Sequence, residues 1–408
     1  MMKKVITFIM AGGKGERLWP LTRDRAKPAV PFGGIYRIID FTLSNCINSG
    51  LRKIYVLTQY KSISLHRHIR MGWSIFSSEL GEFVELLPAQ QRVGDSWYLG
   101  TADAIYQNIY TIEMEKPDEV LILAGDHVYK MNYYQMIDFH RQIDADLTVG
   151  VVEISKDKAS GLGVVEVDTA GRVKGFQEKS RQPKTIPHDP DKVYASMGIY
   201  VFKREILEEE LTEDAHNDSS EHDFGKNILP HMIEQGYKVA AYNFRDENKK
   251  EAMYWRDIGT MDAYHEANMD LVAVNPIFNL YDKEWPIRTY QEQYPPAKTV
   301  FSGDEITGRV GLVLDSLVSS GSIVSGGKIQ RSILSPNVRI NSFSQVYDSI
   351  LMEGVNVGRH AKIKRAIIDK DVNIPQGVVI GYDLDEDKKR FFVTESGIVV
   401  VAKGTKIA

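Results

Sequence analysis

The chain of 408 residues contains one cysteine, Cys46. No intrachain disulfide can form, and a reducing, cytoplasmic setting fits that usage. No apolar run is long enough to cross a bilayer, so no membrane role is expected. The first apolar run, Val5 to Met10, is short and reads as a buried strand rather than a secretory leader. Neither sign of charge dominates. Fifty Lys and Arg stand against 55 Asp and Glu, for a net charge of −5 and a pI near 6.1. This excludes a general nucleic-acid or membrane-surface binder and leaves room for local basic patches. Two phosphate motifs are also missing. Leu18 stands where a dinucleotide fingerprint would place its third glycine, and no Gly-Lys-Ser/Thr closes a triphosphatase loop.

What is present is an ordinary globular composition, 43% hydrophobic and 26% charged, in a chain long enough for two domains. The most informative stretch runs from Ala11 to Pro28. Gly12, Gly13 and Gly15 let the backbone turn sharply just after the first strand, and successive N–H groups in such a turn cradle anions. Lys14, Arg17, Arg25 and Lys27 add positive charge around it. A strand, a glycine turn and cations point to a phosphate site, with a strand-ending turn among solvated charges as the plain alternative.

Further along, Thr42 to Ser49 reads as a helix with Asp40 as cap and Gly50 as terminator. Lys53 to Thr58 reads as a strand. Ser62 to Gly72 reads as a solvated basic helix whose histidines are not at metal spacing. Leu86 to Ala104 is irregular; its Gln90-Gln91-Arg92 and Trp97-Tyr98 suit a loop over a base or sugar, or a packing loop. Val120 to Ala124 is apolar throughout, as a strand covered on both faces would be, and Gly125-Asp126-His127 follows it. A carboxylate just past the carboxyl end of a buried strand is where open α/β sheets bind ligands. Tyr133 to Ile143 reads as a helix, and alternating helices and strands predict a mostly parallel sheet covered on both faces. Gly161 to Phe202 is β-rich, Asp223 to Gly236 reads as a helix, and Thr260 is the expected N-cap of a helix over Met261 to Val272. The expected domains are 1–275 and 308–408, joined by a linker over 276–307 that contains prolines 276, 286, 295 and 296.

The last hundred residues carry a repeat. Aliphatic residues fall at Leu317, Ile323, Ile329; Leu334, Ile340, Val346; Leu351, Val357, Ile363; and Ile368, Ile374, Ile380. Within each triple the step is six, and the triples recur every seventeen residues. Six helical steps of about 100° would carry each residue off the previous face. A three-sided parallel β-helix instead turns one aliphatic side chain inward from each face of each coil, burying a column that no coil could bury alone. Such domains also occur in acyltransferases, whose site lies between coils with a histidine. His360, the one histidine of this region, reads as surface.

Together these motifs resemble the bacterial glucose-1-phosphate adenylyltransferases (ADP-glucose pyrophosphorylases) over nearly the whole chain. The resemblance rests on the glycine loop with Arg25-Ala26-Lys27-Pro28, on Arg37-Ile38-Ile39-Asp40-Phe41, and on Trp97-Tyr98 with Gly100-Thr101-Ala102-Asp103-Ala104. It continues through Ala124-Gly125-Asp126-His127, His222-Asp223-Phe224-Gly225 and Tyr254 to Thr260. It implies a Rossmann-like nucleotidyltransferase domain followed by a left-handed parallel β-helix, acting on ATP and glucose 1-phosphate in glycogen biosynthesis. It implies that Gly12, Gly13, Lys14, Gly15 and Arg17 hold the ATP phosphates with Lys27 nearby, and that Gln59 flanks the nucleotide. Tyr98, Gly163, Glu178, Lys179, Ser196, Asp223 and Trp255 are implied for glucose 1-phosphate, and Asp126 and Asp257 for Mg²⁺. Asp126, Arg17 and Lys27 are the implied catalytic residues. It further implies a homotetramer, in some systems with a related regulatory subunit, and control by small-molecule effectors. Ser180 departs from the proline usual after the Glu-Lys pair. Asp24 stands where members activated by fructose 1,6-bisphosphate carry lysine, so weak or no response to that effector is expected. A non-catalytic regulatory subunit and another sugar-1-phosphate nucleotidyltransferase are the neighbouring readings.

Overall fold

The computed structural model describes residues 4–90, 97–169, 171–180, 182–248, 253–303 and 308–407. Gln91 and Arg92 of the irregular stretch, and 304–307 of the expected linker, lie outside the described residues. Val5–Met10 is the central strand of the large sheet, with Lys53–Thr58 parallel on one side and Glu119–Ala124 parallel on the other. Phe83–Pro88 extends the parallel half. Beyond Glu119–Ala124 lies the long antiparallel strand Lys192–Lys203, which also pairs with Leu147–Ser155 and with Gly163–Val167 of a hairpin completed by Val173–Glu178. Alternate residues of the central strand feed different cores. Ile9 packs with Ile39, Leu43 and Leu123 on one face; Ile6 and Phe8 pack with Ile105, Ile122 and Leu207 on the other. Burial on both faces is why these strands read as unbroken apolar runs.

The early helix begins sooner than predicted, at Ile38–Asn48. Asp40 is therefore inside its first turn rather than its N-cap, and accepts the Arg37 backbone N–H at 2.8 Å. Its carboxylate also accepts from His68 Nε2 at 2.6 Å, Trp73 Nε1 at 3.0 Å and Thr289 Oγ1 at 2.7 Å. The helix Ile63–Gly72 is thus not simply solvated: its His68 is buried against that carboxylate, which its basic flanks conceal in the sequence. Thr260 caps Met261–Asp270 as predicted, accepting from the Ala263 N–H.

The C-terminal repeat folds as a parallel β-helix with three strand stacks, one of them beginning Lys298–Val300, Ile323–Ser325, Arg339–Ile340. The inward column from Ile329 to Ile380 is as the spacing predicts, but the first coil is not. Val318 pairs with Leu334, sixteen residues on, whereas Leu334 pairs with Leu351, seventeen on. The one-residue difference turns Val318 and Val324 inward and leaves Leu317 and Ile323 facing out, because adjacent strand residues point to opposite faces. Leu317 packs instead against the core that joins the two regions, where Ile38, Phe41, Tyr264 and Phe278 meet Ile333, Ile350 and Ile367. The expected linker is not a free tether. Phe278 is buried in that joining core, Trp285 Nε1 donates to Asn45 Oδ1 at 2.8 Å, and Lys298–Val300 is already a β-helix strand.

Candidate active site

The glycine turn leaves the carboxyl end of the central strand and lines a cleft of about 650 Å³. Gly12, Gly13, Lys14, Gly15, Arg17, Lys27 and Asp126 all border it, together with Glu16, Thr101 and Gly259. Gly15 has φ +64°, and a Cβ there would lie 3.1 Å from Lys27 Cβ and from Thr22 Cγ2. Only glycine accepts both that backbone and that packing. Thr22 Oγ1 fixes the turn by donating to the Gly15 carbonyl at 2.9 Å.

Arg25 was expected among the cleft's cations and is not one of them. Its guanidinium turns away, is buried, and donates through Nη2 to both carboxylate oxygens of Asp369 of the β-helix, at 2.8 and 2.9 Å. A partner 344 residues away is beyond any local reading of charge.

Asp126 and Asp257 reach each other through a short two-stranded ladder. His127–Tyr129 pairs antiparallel with Trp255–Asp257, placing Asp257 opposite His127, the neighbour of Asp126. Lys27 Nζ lies between the carboxylates, 2.7 Å from Asp126 Oδ2 and 3.1 Å from Asp257 Oδ1. Burial pulls the Lys27 ammonium down, but Asp126 and Asp257 outweigh it and hold its pKa above the ordinary value of 10.5. Burial likewise pushes Asp126 up, and Lys27 and His127 outweigh that and hold it well below the usual carboxylate range. Both groups therefore stay ionised near neutral pH. His127 Nε2 is 3.6 Å from Asp126 and 3.8 Å from Asp257. Two carboxylates beside the glycine turn suit a hard divalent cation better than an imidazole-rich set would. The ammonium now supplies the positive charge between them.

The residues implied for sugar phosphate form an adjoining group rather than the wall of this cleft. Gly163 sits opposite Glu178 across the hairpin. Lys179 follows with φ +49°, exposed, its ammonium 3.0 Å from Glu178. Ser196 lies where the long strand slips register between Ser196 and Tyr200, a bulge that turns its hydroxyl toward the backbone of Gly198. Tyr200, missed in the sequence, is buried beside the group with its ring stacked on Phe224 at 5.4 Å; burial raises its pKa, a Ser196 bond opposes this, and Asp223 and Glu178 add to the rise. Asp223 caps the short turn that follows it, accepting from the Gly225 and Lys226 N–H groups. Trp255 stands edge-on to the His127 ring at 5.1 Å, with its buried Nε1 lacking a partner among the described residues. Gln59 sits beside Gly12 and reaches the Tyr98 carbonyl at 3.5 Å, while Tyr98 OH accepts from Asn108 at 2.9 Å. Thr101, in the Gly100-Thr101-Ala102-Asp103-Ala104 motif but carrying no role in the sequence reading, donates to Asp223 Oδ2 and borders the cleft.

The nucleotidyl transferase family matches residues 6–273, and a GlmU-like C-terminal hexapeptide family matches residues 295–401. Three curated relatives bear the name glucose-1-phosphate adenylyltransferase. That of Koribacter versatilis is 59% identical over 404 residues, covering 98% of this chain and 96% of the relative. That of Rhodopirellula baltica is 56% identical, covering 100% and 92%. That of Methylococcus capsulatus is 52% identical, covering 98% and 94%.

Proposed function

The chain belongs to the nucleotidyl transferase family and to its glucose-1-phosphate adenylyltransferases, and on that premise we propose how its cleft performs the reaction. The reaction joins ATP and glucose 1-phosphate into ADP-glucose and pyrophosphate. A phosphate oxygen of glucose 1-phosphate attacks the α-phosphorus of ATP, and pyrophosphate leaves in line. The nucleophile is already anionic, so no serine, cysteine or general base is needed. The protein must position two polyanions and neutralise their charge. Backbone N–H groups of Gly12 to Gly15, with Lys14 and Arg17, take the triphosphate. Glu178, Ser196 and Asp223 bind the sugar hydroxyls, and Lys179 its phosphate.

Lys27 is the group best placed at the reacting phosphate, since it is held at 2.7 Å from Asp126 and stays charged. That triad of Lys27, Asp126 and Asp257 beside the glycine turn carries the reading. Asp126 and Asp257 would hold Mg²⁺, which when bound supplies further neutralisation of phosphate charge. With substrate phosphates present, Lys27 can exchange its carboxylate partners for phosphate oxygens. We further place the product in glycogen biosynthesis, in a homotetramer under small-molecule control, with little response to fructose 1,6-bisphosphate because Asp24 would repel it.

The test is a steady-state assay with glucose 1-phosphate and Mg²⁺, comparing ATP, UTP, GTP and dTTP by pyrophosphate release. ATP is the expected substrate. Preference for another nucleotide moves the protein to a sister activity. Silence with all four, from folded protein, favours a regulatory subunit.

A further inference from the structure

We propose that Thr101 couples the two substrate half-sites, so that nucleotide binding organises the sugar-phosphate side. This rests on the adenylyltransferase reading and deepens it. Thr101 borders the nucleotide cleft together with the glycine loop. Its hydroxyl also donates to Asp223 Oδ2 at 2.9 Å and accepts from the Phe224 N–H at 3.0 Å. One side chain thus touches the cleft on one side and the sugar-side turn on the other.

The backbone around it makes the two segments a single unit. The His222 carbonyl accepts from the N–H groups of Ala102 at 2.8 Å and Asp103 at 3.3 Å. Gly100 lies flat against the carbonyls of Glu221 and His222, where any Cβ would collide. His222 itself has φ +52°, an unfavourable conformation for a residue with a side chain. It is held there by Asp214, whose Oδ2 lies 2.8 Å from His222 Nδ1, and by Ser220, which accepts the His222 N–H at 2.9 Å. Asp214 touches neither cleft residue nor Asp223 in these bonds, so it acts as a positioning residue behind the joint. A triphosphate that settles segment 98–101 therefore settles Asp223 with it.

The consequence is synergy, measurable without turnover. Glucose 1-phosphate is titrated calorimetrically into the full chain with Mg²⁺, with and without saturating α,β-methylene-ATP. In the wild type the analogue should tighten glucose 1-phosphate at least about fivefold, the low end of ordinary coupling. Thr101→Val removes both hydrogen bonds and should bring that ratio to within about twofold of one, whereas Thr101→Ser should keep it. Asp214→Asn, which keeps the shape of the joint, should lower the ratio at least about twofold and serves if Thr101→Val does not fold. A merely structural role would weaken both ligands alike and leave the ratio unchanged. Retention of the wild-type ratio in Thr101→Val, or a wild-type ratio of one, overturns the proposal while the function stands. A wild type that binds neither ligand overturns the functional reading and the coupling with it.

Discussion

The cleft and the β-helix are built by opposite rules. Through most of the β-helix an inward residue meets its neighbour sixteen or seventeen positions along, coil after coil, and only at the last coil does the step widen, Ile368 meeting Val401. In the cleft, Lys27 meets Asp126 across 99 positions and Asp257 across 230. The first region is redundant: its buried aliphatic side chains are chemically alike, and each supports the next. The second is singular, since Lys27, Asp126 and Asp257 form one cluster whose members differ in chemistry, so none can stand in for another. The comparison teaches that a repeat spreads stability over many equal contacts, while a catalytic site concentrates its effect in a few groups that cannot compensate for one another.

Substitutions on each side should separate these two kinds of dependence. The largest effect belongs to the cleft. Asp126→Asn should cut kcat at least about a thousandfold while thermal unfolding barely moves, because it removes charge where the proposed reaction brings the phosphates. Near-normal turnover in that variant would take Asp126 out of the mechanism. Next comes the joint between the regions. Asp369→Asn leaves the buried Arg25 guanidinium without its counter-charge and should cost about 3–5 kcal/mol in denaturant unfolding. Arg25→Met combined with Asp369→Leu should recover most of that loss, and failure to recover would show that the pair does more than satisfy itself.

Within the β-helix, Ile363→Ala should cost about 2–4 kcal/mol and leave kcat at 25 °C unchanged, since the residue is fully buried in the column and does not line the cleft. A matching fall in kcat would mean the two regions are not separable. Lys179→Ala is gentler. It should raise KM for glucose 1-phosphate about tenfold with kcat nearly constant, and a collapsed kcat at unchanged KM would contradict its binding role.

The smallest effect is a pH slope. A hydrogen bond that His231 donates to Glu210 raises its pKa above 6.5, against the opposing pull of burial. A raised folded-state value means the pair's stabilisation is complete below about pH 6.5 and fades as pH climbs through the higher folded value. Melting temperature measured against pH should therefore fall less steeply in His231→Gln than in wild type; parallel curves would remove His231 from the balance.

Much was determined by the sequence alone. The first strand, the glycine turn and the repeat are local patterns, and local backbone sterics and side-chain periodicity suffice to read them. The membership of Asp126 and Asp257 in one site came from resemblance, because nothing local ties positions 126 and 257. Tertiary structure decided the rest. It turned Arg25 from the cleft to Asp369, drew His68 into the core, and set Tyr200 among the sugar-side residues. It also shifted the first coil by one residue, so that Val318 and Val324 took the places that spacing assigned to Leu317 and Ile323. For Arg25 and His68 the deciding partner was distant in sequence, Asp369 and Asp40. Burial makes an unpaired charge or an outward aliphatic side chain costly, and only the folded chain brings the group that satisfies it.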